Sequence, residues 1–379
     1  MSEQLKELKS PRVLVTGHDG YIGAVLVPRL VAAGYDVTGL DTFYFEGCQL
    51  SPQAEPTFVI RADIREIGDL DLSKFDAIIH LAALSNDPIG QLEPELTLSI
   101  NYRATMRLAR GAKEAGVKRF LYASSCSLYG KSGEDVMTED SPTDPLTAYA
   151  KSKVLCEQEL SQMRSEQFLP IMLRCATVFG LSPKLRTDLV VNNLTASGVA
   201  TGKIQIMSDG TPWRPLIHVS DLARVYEFLL ECPEESLKDN IFNVGFSEQN
   251  FQVRDVAEAV QKVLPSTSLS FSDNPDKDAR SYRVSFERFE KLSHMRPEYD
   301  LTRAIVELVD AYRAAGLNTT DELFGRKYVR LKQVEHVLQQ GWVDASLNWV
   351  VPMPTTVAAQ GATGAATTPK PSVATAGKK

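Results

Sequence analysis

Three side chains in the first half of the chain have the types and the spacing that acid–base chemistry requires. Tyr149 and Lys153 are four residues apart, so on a helix they lie on one face. Ser125 ends a short apolar run typical of a β-strand, so its hydroxyl can reach the same crevice. A free tyrosine has a pKa of about 10, and a nearby ammonium lowers this pKa because it favours the anion. We therefore predict that Tyr149 is a general base with Ser125 and Lys153 beside it. The alternative is a solvated helix face.

The segment TGHDGYIG, residues 16–23, follows one predicted strand and opens a helix. Glycines at these positions let the backbone turn tightly and approach a diphosphate, whose charge is met by free N–H groups at the helix N-terminus. This context predicts a dinucleotide-binding turn, and an ordinary glycine turn is the alternative. The cofactor-binding residues expected here are Gly17, Asp19, Gly20, Tyr21, Ile22 and Gly23.

Further cofactor contacts are expected where the next strands end. Asp41 ends the second predicted strand, where a carboxylate accepts hydrogen bonds from ribose hydroxyls but repels a 2′-phosphate. The expected cofactor is therefore NAD rather than NADP. Asp63 ends the third predicted strand and, with Ile64 after it, is expected near the adenine, although Asp63 is equally suited to cap a helix. The fourth strand ends in residues whose backbone can pass close to the cofactor or simply pack: Leu81, Ala82 and Ala83.

The elements that must position these groups follow from the hydrophobic pattern. Short β-branched runs alternate with amphipathic segments up to about residue 177, which is typical of a parallel sheet with helices on both faces. The predicted strands are at 12–17, 35–41, 57–63, 76–83, 119–125 and 170–177, with helices at about 21–33, 94–115 and 147–165. After residue 177 the pieces are shorter and include helices at about 252–264 and 301–315.

The sequence thus predicts an α/β fold with a Rossmann-type doubly wound parallel sheet and a smaller C-terminal α/β domain that binds substrate. The expected NAD-binding domain is 11–177, to which the segment 240–246 can return, and the substrate-binding domain is 178–350. Residues 351–379 are rich in Ala, Thr, Gly, Pro and Lys and contain no aromatic residue, so we expect a disordered tail there.

Composition limits the classes of function. The chain has 379 residues and a formal net charge of −7, so we expect no nucleic-acid partner. Its five cysteines form no CxxC pair and do not cluster with the five histidines, so we expect no metal site. The N-terminus lacks an apolar signal core, and no apolar run reaches the roughly 18 residues that span a bilayer, so a cytoplasmic location without membrane association is expected.

The chain resembles the NAD-dependent epimerase/dehydratase family of extended short-chain dehydrogenases. The resemblance covers about residues 11–350 and rests on TGHDGYIG, on Asp41, on HLAA (80–83), on ASSCSLYG (123–130) and on YAKSK (149–153), in the family's order. It implies that Ser125 and Tyr149 hold a sugar hydroxyl, that Tyr149 is the base and that Lys153 binds the nicotinamide ribose. It also implies that Asn101 supports the active-site lysine.

The resemblance further implies a nucleotide-diphosphate sugar as substrate. Arg214 in TPWRPLIHV (211–219) resembles the arginine that grips the diphosphate, which suits a side chain that donates two charge-assisted hydrogen bonds at once. Asn193 and Arg280 resemble further phosphate contacts, with a surface or capping role as the alternative. The expected substrate-binding residues are Ser85, Ser125, Cys126, Tyr149, Thr177, Asn193, Arg214 and Arg280.

Two departures from the family's patterns bear on the reaction. Members that remove water from C4–C6 of the sugar resemble one another in carrying Asp-Glu after the serine, where this chain has Cys126 and Ser127. The glutamate of the decarboxylating branch is also absent from position 127. Thr177 stands where the galactose epimerase pattern has asparagine. The passage around Thr177, LRCATVFGLSPKLRTDLVVNNL (173–194), together with NPDKDARSY (274–282), is more similar to a branch that includes bacterial sugar and GDP-heptose C4 dehydrogenases.

These observations predict an NAD-dependent nucleotide-sugar epimerase that acts by transient oxidation at sugar C4, with a homodimer expected. The alternative is a nucleotide-sugar 4-dehydrogenase or ketoreductase for a hexose or heptose, which would use the same residues. A third alternative is a non-catalytic NAD-binding protein, since fold does not determine function. The presence of Ser125, Tyr149 and Lys153 together argues against that third interpretation.

Overall fold

A seven-stranded parallel sheet forms the centre of the molecule. The structure is a computed structural model that describes residues 10–85, 93–271 and 281–353. The strands of the sheet are β1 Arg12–Thr16, β2 Asp36–Asp41, β3 Phe58–Arg61, β4 Ala77–His80, β5 Arg119–Ser125, β7 Leu169–Cys175 and β11 Ile241–Val244. They lie in the order β11-β7-β5-β4-β1-β2-β3, and all neighbouring pairs are parallel.

Helices cover both faces of this sheet. One face packs against α1 (Gly23–Ala32) and α6 (Val219–Glu231). The other packs against α2 (Pro94–Leu98), α3 (Thr105–Glu114), α4 (Ala148–Met163) and α11 (Arg330–Gln339). A π-helical turn, Ser99–Ala104, joins α2 to α3 without interrupting the helix. The central strands are completely buried, which accounts for their continuous apolar runs.

A second, smaller group of elements comes from the chain after β7, except for β6, which lies between β5 and α4. Its strands are β6 Lys131–Met137, β8 Thr177–Phe179, β9 Lys203–Ile206, β10 Trp213–His218, β12 Asn250–Gln252, β13 Ser268–Phe271 and β14 Ser281–Val284. They form a three-stranded sheet in the order β12-β10-β8 and two further pairs, β13-β9 and β14-β6. The helices are α5 Val190–Thr201, α7 Val253–Val263, α8 Glu287–Ser293, α9 Leu301–Ala314 and α10 Thr320–Leu323. Helices α5, α7 and α9 share a core separate from the two cores of the large sheet.

The predicted fold class is confirmed, because all six expected strands belong to the parallel sheet and helices cover both faces. The expected strand 170–177 is divided, with β7 ending at Cys175 and β8 beginning at Thr177 in the second sheet. The segment 240–246 contains β11, which pairs with β7 at the edge of the large sheet. Helices α6 and α11 also pack on the large sheet although they follow residue 177. The predicted boundary between two domains at residues 177 and 178 stays a prediction.

Both ends of the chain are only partly described. The disordered tail expected at 351–379 lies almost wholly outside the described residues, which end at 353. Over the described part of the chain, the helices fall short of the length and apolarity that a membrane span needs.

Candidate active site

A cleft of about 690 Å³ runs along the carboxyl ends of the parallel strands and is also lined by residues of the second sheet. Parallel α/β sheets bind ligands at this edge, because the loops that follow the strands meet there. Most of the residues predicted from the sequence line this cleft: Gly17, Gly20, Tyr21, Ile22, Gly23, Asp41, Asp63, Ile64, Leu81, Ala82, Ala83, Ser85, Ser125, Tyr149, Lys153, Thr177, Asn193 and Arg214.

The glycine turn between β1 and α1 is packed too tightly for any side chain at two of its positions. Gly17 has φ +75°, and a Cβ there would lie 2.7 Å from the backbone nitrogen of Ala82. A Cβ on Gly23 would lie 2.4 Å from the carbonyl oxygen of His18. At Gly17 the backbone of the turn therefore lies directly against the segment that follows β4, and at Gly23 the start of α1 lies directly against the turn. This is the geometry that a dinucleotide diphosphate requires.

Asp41 is held in place by the backbone around it. Its carboxylate accepts hydrogen bonds from the backbone N–H of Asp19, at 3.1 Å, and of Phe43, at 2.9 Å. Burial raises the pKa of Asp41, and the nearby carboxylate of Asp19 raises it further. Asp41 thus lies at the end of β2, beside the glycine turn and on the wall of the cleft, where the ribose of an adenosine is expected.

The side chain of Asp19 does not line the cleft. Its carboxylate is paired with the ammonium of Lys184 at 2.8 Å and accepts a hydrogen bond from the amide of Gln53, also at 2.8 Å. Both members of the Asp19–Lys184 pair are buried. The pair therefore joins the glycine turn to the segment that follows β8, and the backbone nitrogen is the part of Asp19 that faces Asp41.

Asp63 has the capping role that the sequence left open. It precedes a short 3₁₀ turn and accepts a hydrogen bond from the backbone N–H of Arg65 at 2.7 Å. Its other oxygen is paired with the Arg65 guanidinium at 2.6 Å. Because Asp63 and Ile64 also line the cleft, a contact with adenine stays a prediction beside the capping role.

Tyr149 and Lys153 lie in the first two turns of α4, which Thr147 caps by accepting a hydrogen bond from the N–H of Ala150. The ammonium of Lys153 lies 5.4 Å from the centre of the Tyr149 ring and donates a hydrogen bond of 2.6 Å to the carbonyl oxygen of Ala123 on β5. Ser125 ends the same strand, and its Oγ accepts from the N–H of Ser127 at 3.2 Å. Strand β5 and helix α4 therefore bring the three predicted catalytic residues to one wall of the cleft.

Lys153 is almost completely buried, with 3% of its surface exposed. Burial lowers the pKa of its ammonium to about 8, because the charged form loses its hydration. A lysine at this pKa is still mostly protonated at neutral pH. It is therefore a buried positive charge 5.4 Å from the centre of the Tyr149 ring.

Besides Asp19, three expected residues are placed away from the cleft or outside the described residues. The thiol of Cys126 is buried and donates to the carbonyl oxygen of Arg174, so the side chain faces the core and does not line the cleft. Asn101 lies in the π-helical turn, and its amide pairs with the backbone N–H and carbonyl of Leu84. This contact orients the loop after β4 that lines the cleft. Arg280 lies outside the described residues.

The second group of elements supplies the remaining wall. Thr177 begins β8, Asn193 lies in the first turns of α5 and Arg214 is on β10. Asn193 donates through its amide to the carbonyl oxygen of Thr187, at 2.9 Å. Arg214 donates to the carbonyl oxygen of Trp213, also at 2.9 Å, and is half-buried on the cleft wall. The substrate roles of these residues remain predictions.

Two arginines of the cleft were not predicted from the sequence. Arg186 forms a two-pronged ion pair with Asp188 and donates a third hydrogen bond to Ser85, at 3.1 Å. Although burial opposes it, the Arg186 charge lowers the pKa of Asp188. Arg330 reaches the cleft from the start of α11, far along the chain from the other site residues. These two arginines could be recognised only from their burial in the cleft, which a single sequence does not show.

The family is shown by a comparison with family models. The model described as the NAD dependent epimerase/dehydratase family matches residues 13–245, which is more than half of the chain. The protein therefore belongs to this family, and its cofactor is NAD. The glycine turn without room for side chains and the carboxylate at the end of β2 fit that cofactor.

The individual relatives carry out more than one reaction. The chain is 27% identical over 326 residues to a UDP-glucose 4-epimerase of Azospirillum brasilense, covering 78% of this chain and 90% of the relative. Among solved structures it is similar to MoeE5 in complex with UDP-glucuronic acid and NAD, with a TM-score of 0.68, 26% identity and coverage of 80% and 99% of the two chains. The NDP-hexosamine 5,6-dehydratase TunA shares the fold, with a TM-score of 0.73, 24% identity and coverage of 81% and 99%.

Proposed function

We propose that this protein is an NAD-dependent nucleotide-sugar epimerase that acts by transient oxidation at C4 of the sugar. The observation that carries the proposal is the position of Tyr149, Lys153 and Ser125 on one wall of a cleft whose other end is the glycine turn. The relatives named as UDP-glucose 4-epimerases support the same reaction class. The wider assignment, an NAD-dependent enzyme of sugar nucleotides, follows from the family.

Each residue has a separate part in the chemistry. Tyr149 takes the proton of the sugar hydroxyl, since its oxygen is a base when ionised and Lys153 favours that ionised form. Ser125 orients the same hydroxyl by hydrogen bonding. NAD, held by the glycine turn and Asp41, would supply a reversible hydride acceptor for C4. If the keto sugar rotates between the two transfers, the hydride would return to its opposite face and Tyr149 would return the proton to the oxygen, which gives the epimer.

Arg214, Asn193, Thr177 and Ser85 are proposed to hold the nucleotide-diphosphate sugar. Arg214, Asn193 and Thr177 line the part of the cleft formed by the second sheet and α5, together with apolar residues such as Met207. Ser85 lines the cleft from the loop after β4. A guanidinium at position 214 matches a diphosphate because its N–H groups donate two charge-assisted hydrogen bonds. This places the sugar nucleotide against the second group of elements and the cofactor against the large sheet.

The residues after Ser125 favour epimerisation over elimination of water. Cys126 faces the core. Ser127 lines the cleft, and its buried hydroxyl has no hydrogen-bond partner among the described residues. Neither residue is a carboxylic acid, so this turn provides no acid to protonate a leaving hydroxyl. A dehydratase reaction like that of TunA would need an acid from elsewhere in the cleft.

The second candidate is a nucleotide-sugar 4-dehydrogenase or ketoreductase. It is favoured by Thr177 at the start of β8, where the epimerase pattern has asparagine. The same base and cofactor would serve, but the keto sugar would leave the site. The homodimer and the cytoplasmic location inferred from the sequence also remain predictions.

The test is to incubate the purified protein with UDP-glucose, without added cofactor, and to follow the sugar by NMR. Epimerisation predicts UDP-galactose with no net change in NADH absorbance, because the hydride is returned. Release of a 4-keto sugar with matching NADH formation would replace the epimerase by the dehydrogenase. If the protein changes neither UDP-glucose nor other UDP- and GDP-hexoses or heptoses, with or without added NAD, the proposed reaction is wrong.

A further inference from the structure

The C-terminal part of the described chain folds back onto the cofactor half of the cleft. Gln333 of α11 donates to the carbonyl oxygen of Tyr44 at 3.0 Å, and the indole of Trp349 donates to that of Thr42 at 2.8 Å. Arg65, after β3, donates to the carbonyl oxygen of Ser346 at 2.6 Å. The segment 330–349 is therefore tied to the loops that follow β2 and β3. It lies beyond residue 245, where the match to the family model ends.

Arg330 is the residue of this segment that reaches the cleft. Its guanidinium carbon lies 4.0 Å from the centre of the Phe45 ring, and Nη2 donates a hydrogen bond of 3.2 Å to the carbonyl oxygen of Lys184. The residue is 5% exposed. Its Nη1 is buried and has no hydrogen-bond partner among the described residues. A buried cationic donor without an acceptor is costly, which points to an acceptor supplied by a ligand.

The charges around Arg330 favour an anionic ligand. Arg186 lies nearby and lines the same cleft. The carboxylates that act on Arg330 are already paired, Asp188 with Arg186 and Asp19 with Lys184. Burial and the charge of Arg186 lower the pKa of Arg330 to about 10, so the guanidinium is charged at neutral pH. The three cations Arg186, Arg330 and Lys184 therefore face two paired carboxylates, Asp188 and Asp19, so that one positive charge is left to be matched.

The neighbours of Arg330 decide which anion this is. Lys184, whose carbonyl oxygen Arg330 contacts, is ion-paired with Asp19 of the glycine turn, and Ser182 donates to the carbonyl oxygen of Tyr21 in that turn at 2.8 Å. Phe45 belongs to the loop after β2, four residues beyond Asp41. Arg330 therefore lies at the glycine turn and the adenosine end of the cleft, whereas Arg214 lies on β10 of the second sheet.

We propose that Arg330 binds the diphosphate of the NAD cofactor through its unpartnered Nη1. The glycine turn would supply backbone N–H groups to the diphosphate, and Arg330 would add a charge-assisted hydrogen bond from the C-terminal segment. The residue is then part of the cofactor site although it is distant in sequence from the Rossmann motifs. Because the ligand is the family's cofactor, this inference does not depend on whether the reaction is an epimerisation.

The test is calorimetric titration of the cofactor-free full-length protein and its Arg330→Gln variant with NAD, ADP, adenosine and UDP. A lost charge-assisted hydrogen bond should weaken NAD and ADP by roughly 10- to 100-fold. Adenosine, which lacks phosphate, and UDP, which takes the substrate's place, should change by less than about twofold. The matched control is Lys332→Gln, which removes an exposed charge from the same helix and should change none of the four affinities.

Other outcomes would overturn the proposal. Unchanged NAD and ADP affinities would show that Arg330 does not bind the cofactor diphosphate. Equal losses for adenosine and ADP would show that the substitution disturbs the loop around Phe45 instead, and a loss for UDP alone would move Arg330 to the substrate. The Arg330→Lys variant, which keeps the charge, covers the case in which the glutamine variant does not fold. The lysine variant should keep part of the ADP affinity, because the charge remains but the guanidinium is lost. If it binds ADP as tightly as the parent, with the same salt dependence, the contact does not need the guanidinium and this part of the proposal is contradicted.

Discussion

The ammonium of Lys153 lies 5.4 Å from the centre of the Tyr149 ring. The ammonium is fixed there by its 2.6 Å hydrogen bond to the carbonyl oxygen of Ala123, so strand β5 sets the distance between the cation and the proposed base. Its charge favours the tyrosinate without first having to be ordered by substrate. Burial of this positive charge lowers the free energy of unfolding, and this effect can be measured.

Lys153 should make the free energy of unfolding depend on pH. The folded protein releases the Lys153 proton at about pH 8, whereas the unfolded chain keeps it to its ordinary pKa of 10.5. The unfolded state therefore binds more protons between these values, so stability attributable to Lys153 rises with pH across this window, by as much as about 3 kcal/mol. Denaturant unfolding of the cofactor-free parent and of Lys153→Met at several pH values measures it. The difference between the two should vary with pH, and parallel curves would contradict the buried charge.

Asp41 should determine the preference for NAD over NADP. A 2′-phosphate would meet a carboxylate that is held between two backbone N–H groups and cannot easily move away. We expect clearly tighter binding of NAD by the parent, and Asp41→Asn should weaken NAD by roughly tenfold while reducing the discrimination against NADP. Titration of both dinucleotides into parent and variant is the measurement. NADP binding as tight as NAD binding in the parent would refute the assignment.

Arg214 should contribute to binding of the sugar nucleotide and not of the cofactor. Removing one charged, half-buried contact to a diphosphate in Arg214→Ala should cost roughly 2–4 kcal/mol of binding free energy for UDP-glucose. NAD affinity should stay at the parental value, because Arg214 is on the second sheet. Arg313→Ala, an exposed arginine at the end of α9, is the matched control. Equal UDP-glucose affinity of the two variants would remove Arg214 from the site.

A buried ion pair beneath the active site should be important for stability. Glu157 of α4 accepts hydrogen bonds from the Arg174 guanidinium, the shortest at 2.7 Å, and from the hydroxyl of Ser124, next to Ser125. Both charged side chains are almost completely buried. Glu157→Ala leaves the arginine unpaired and should lower the free energy of unfolding by about 3–5 kcal/mol.

The double variant Glu157→Met/Arg174→Met is the control for this pair, because it removes both charges and leaves no unpaired cation. It should lose less stability than Glu157→Ala in the same denaturant titration. A double variant that is less stable than the single variant would show that the pair stabilises the fold through its own attraction.

Local patterns of the sequence predicted the sheet and the cofactor turn. The alternating runs and TGHDGYIG report properties of consecutive residues, and β1 to β5 and β7 are found where those patterns placed them. The division of 170–177 into β7 and β8 was missed, because both strands are apolar and only the third dimension separates them into two sheets.

The residues that line the cleft were predicted where they follow strands, and missed where long-range packing brings them there. Ser125 and Tyr149 were predicted, and lie in the cleft, because a strand end and a helical spacing are visible in the sequence. Arg186 and Arg330 were not, since an arginine is usually exposed and nothing local marks these two as buried in a cleft. Cys126 was expected among the substrate-binding residues, but its side chain turns into the core, and no local pattern of the sequence indicates that orientation.

The central claim is that the hydroxyl of Tyr149 is the base, and Tyr149→Phe tests it by deleting one oxygen while keeping the ring. Loss of a general base should lower the turnover of UDP-glucose by about 10²–10⁴-fold, while UDP-glucose and NAD affinities stay near the parental values. Tyr35→Phe is the matched control, because its hydroxyl contacts Glu231 away from the cleft, and it should retain full turnover. If folded, NAD-loaded Tyr149→Phe converts UDP-glucose or another accepted sugar nucleotide at the parental rate, Tyr149 is not the base and the proposed mechanism is wrong.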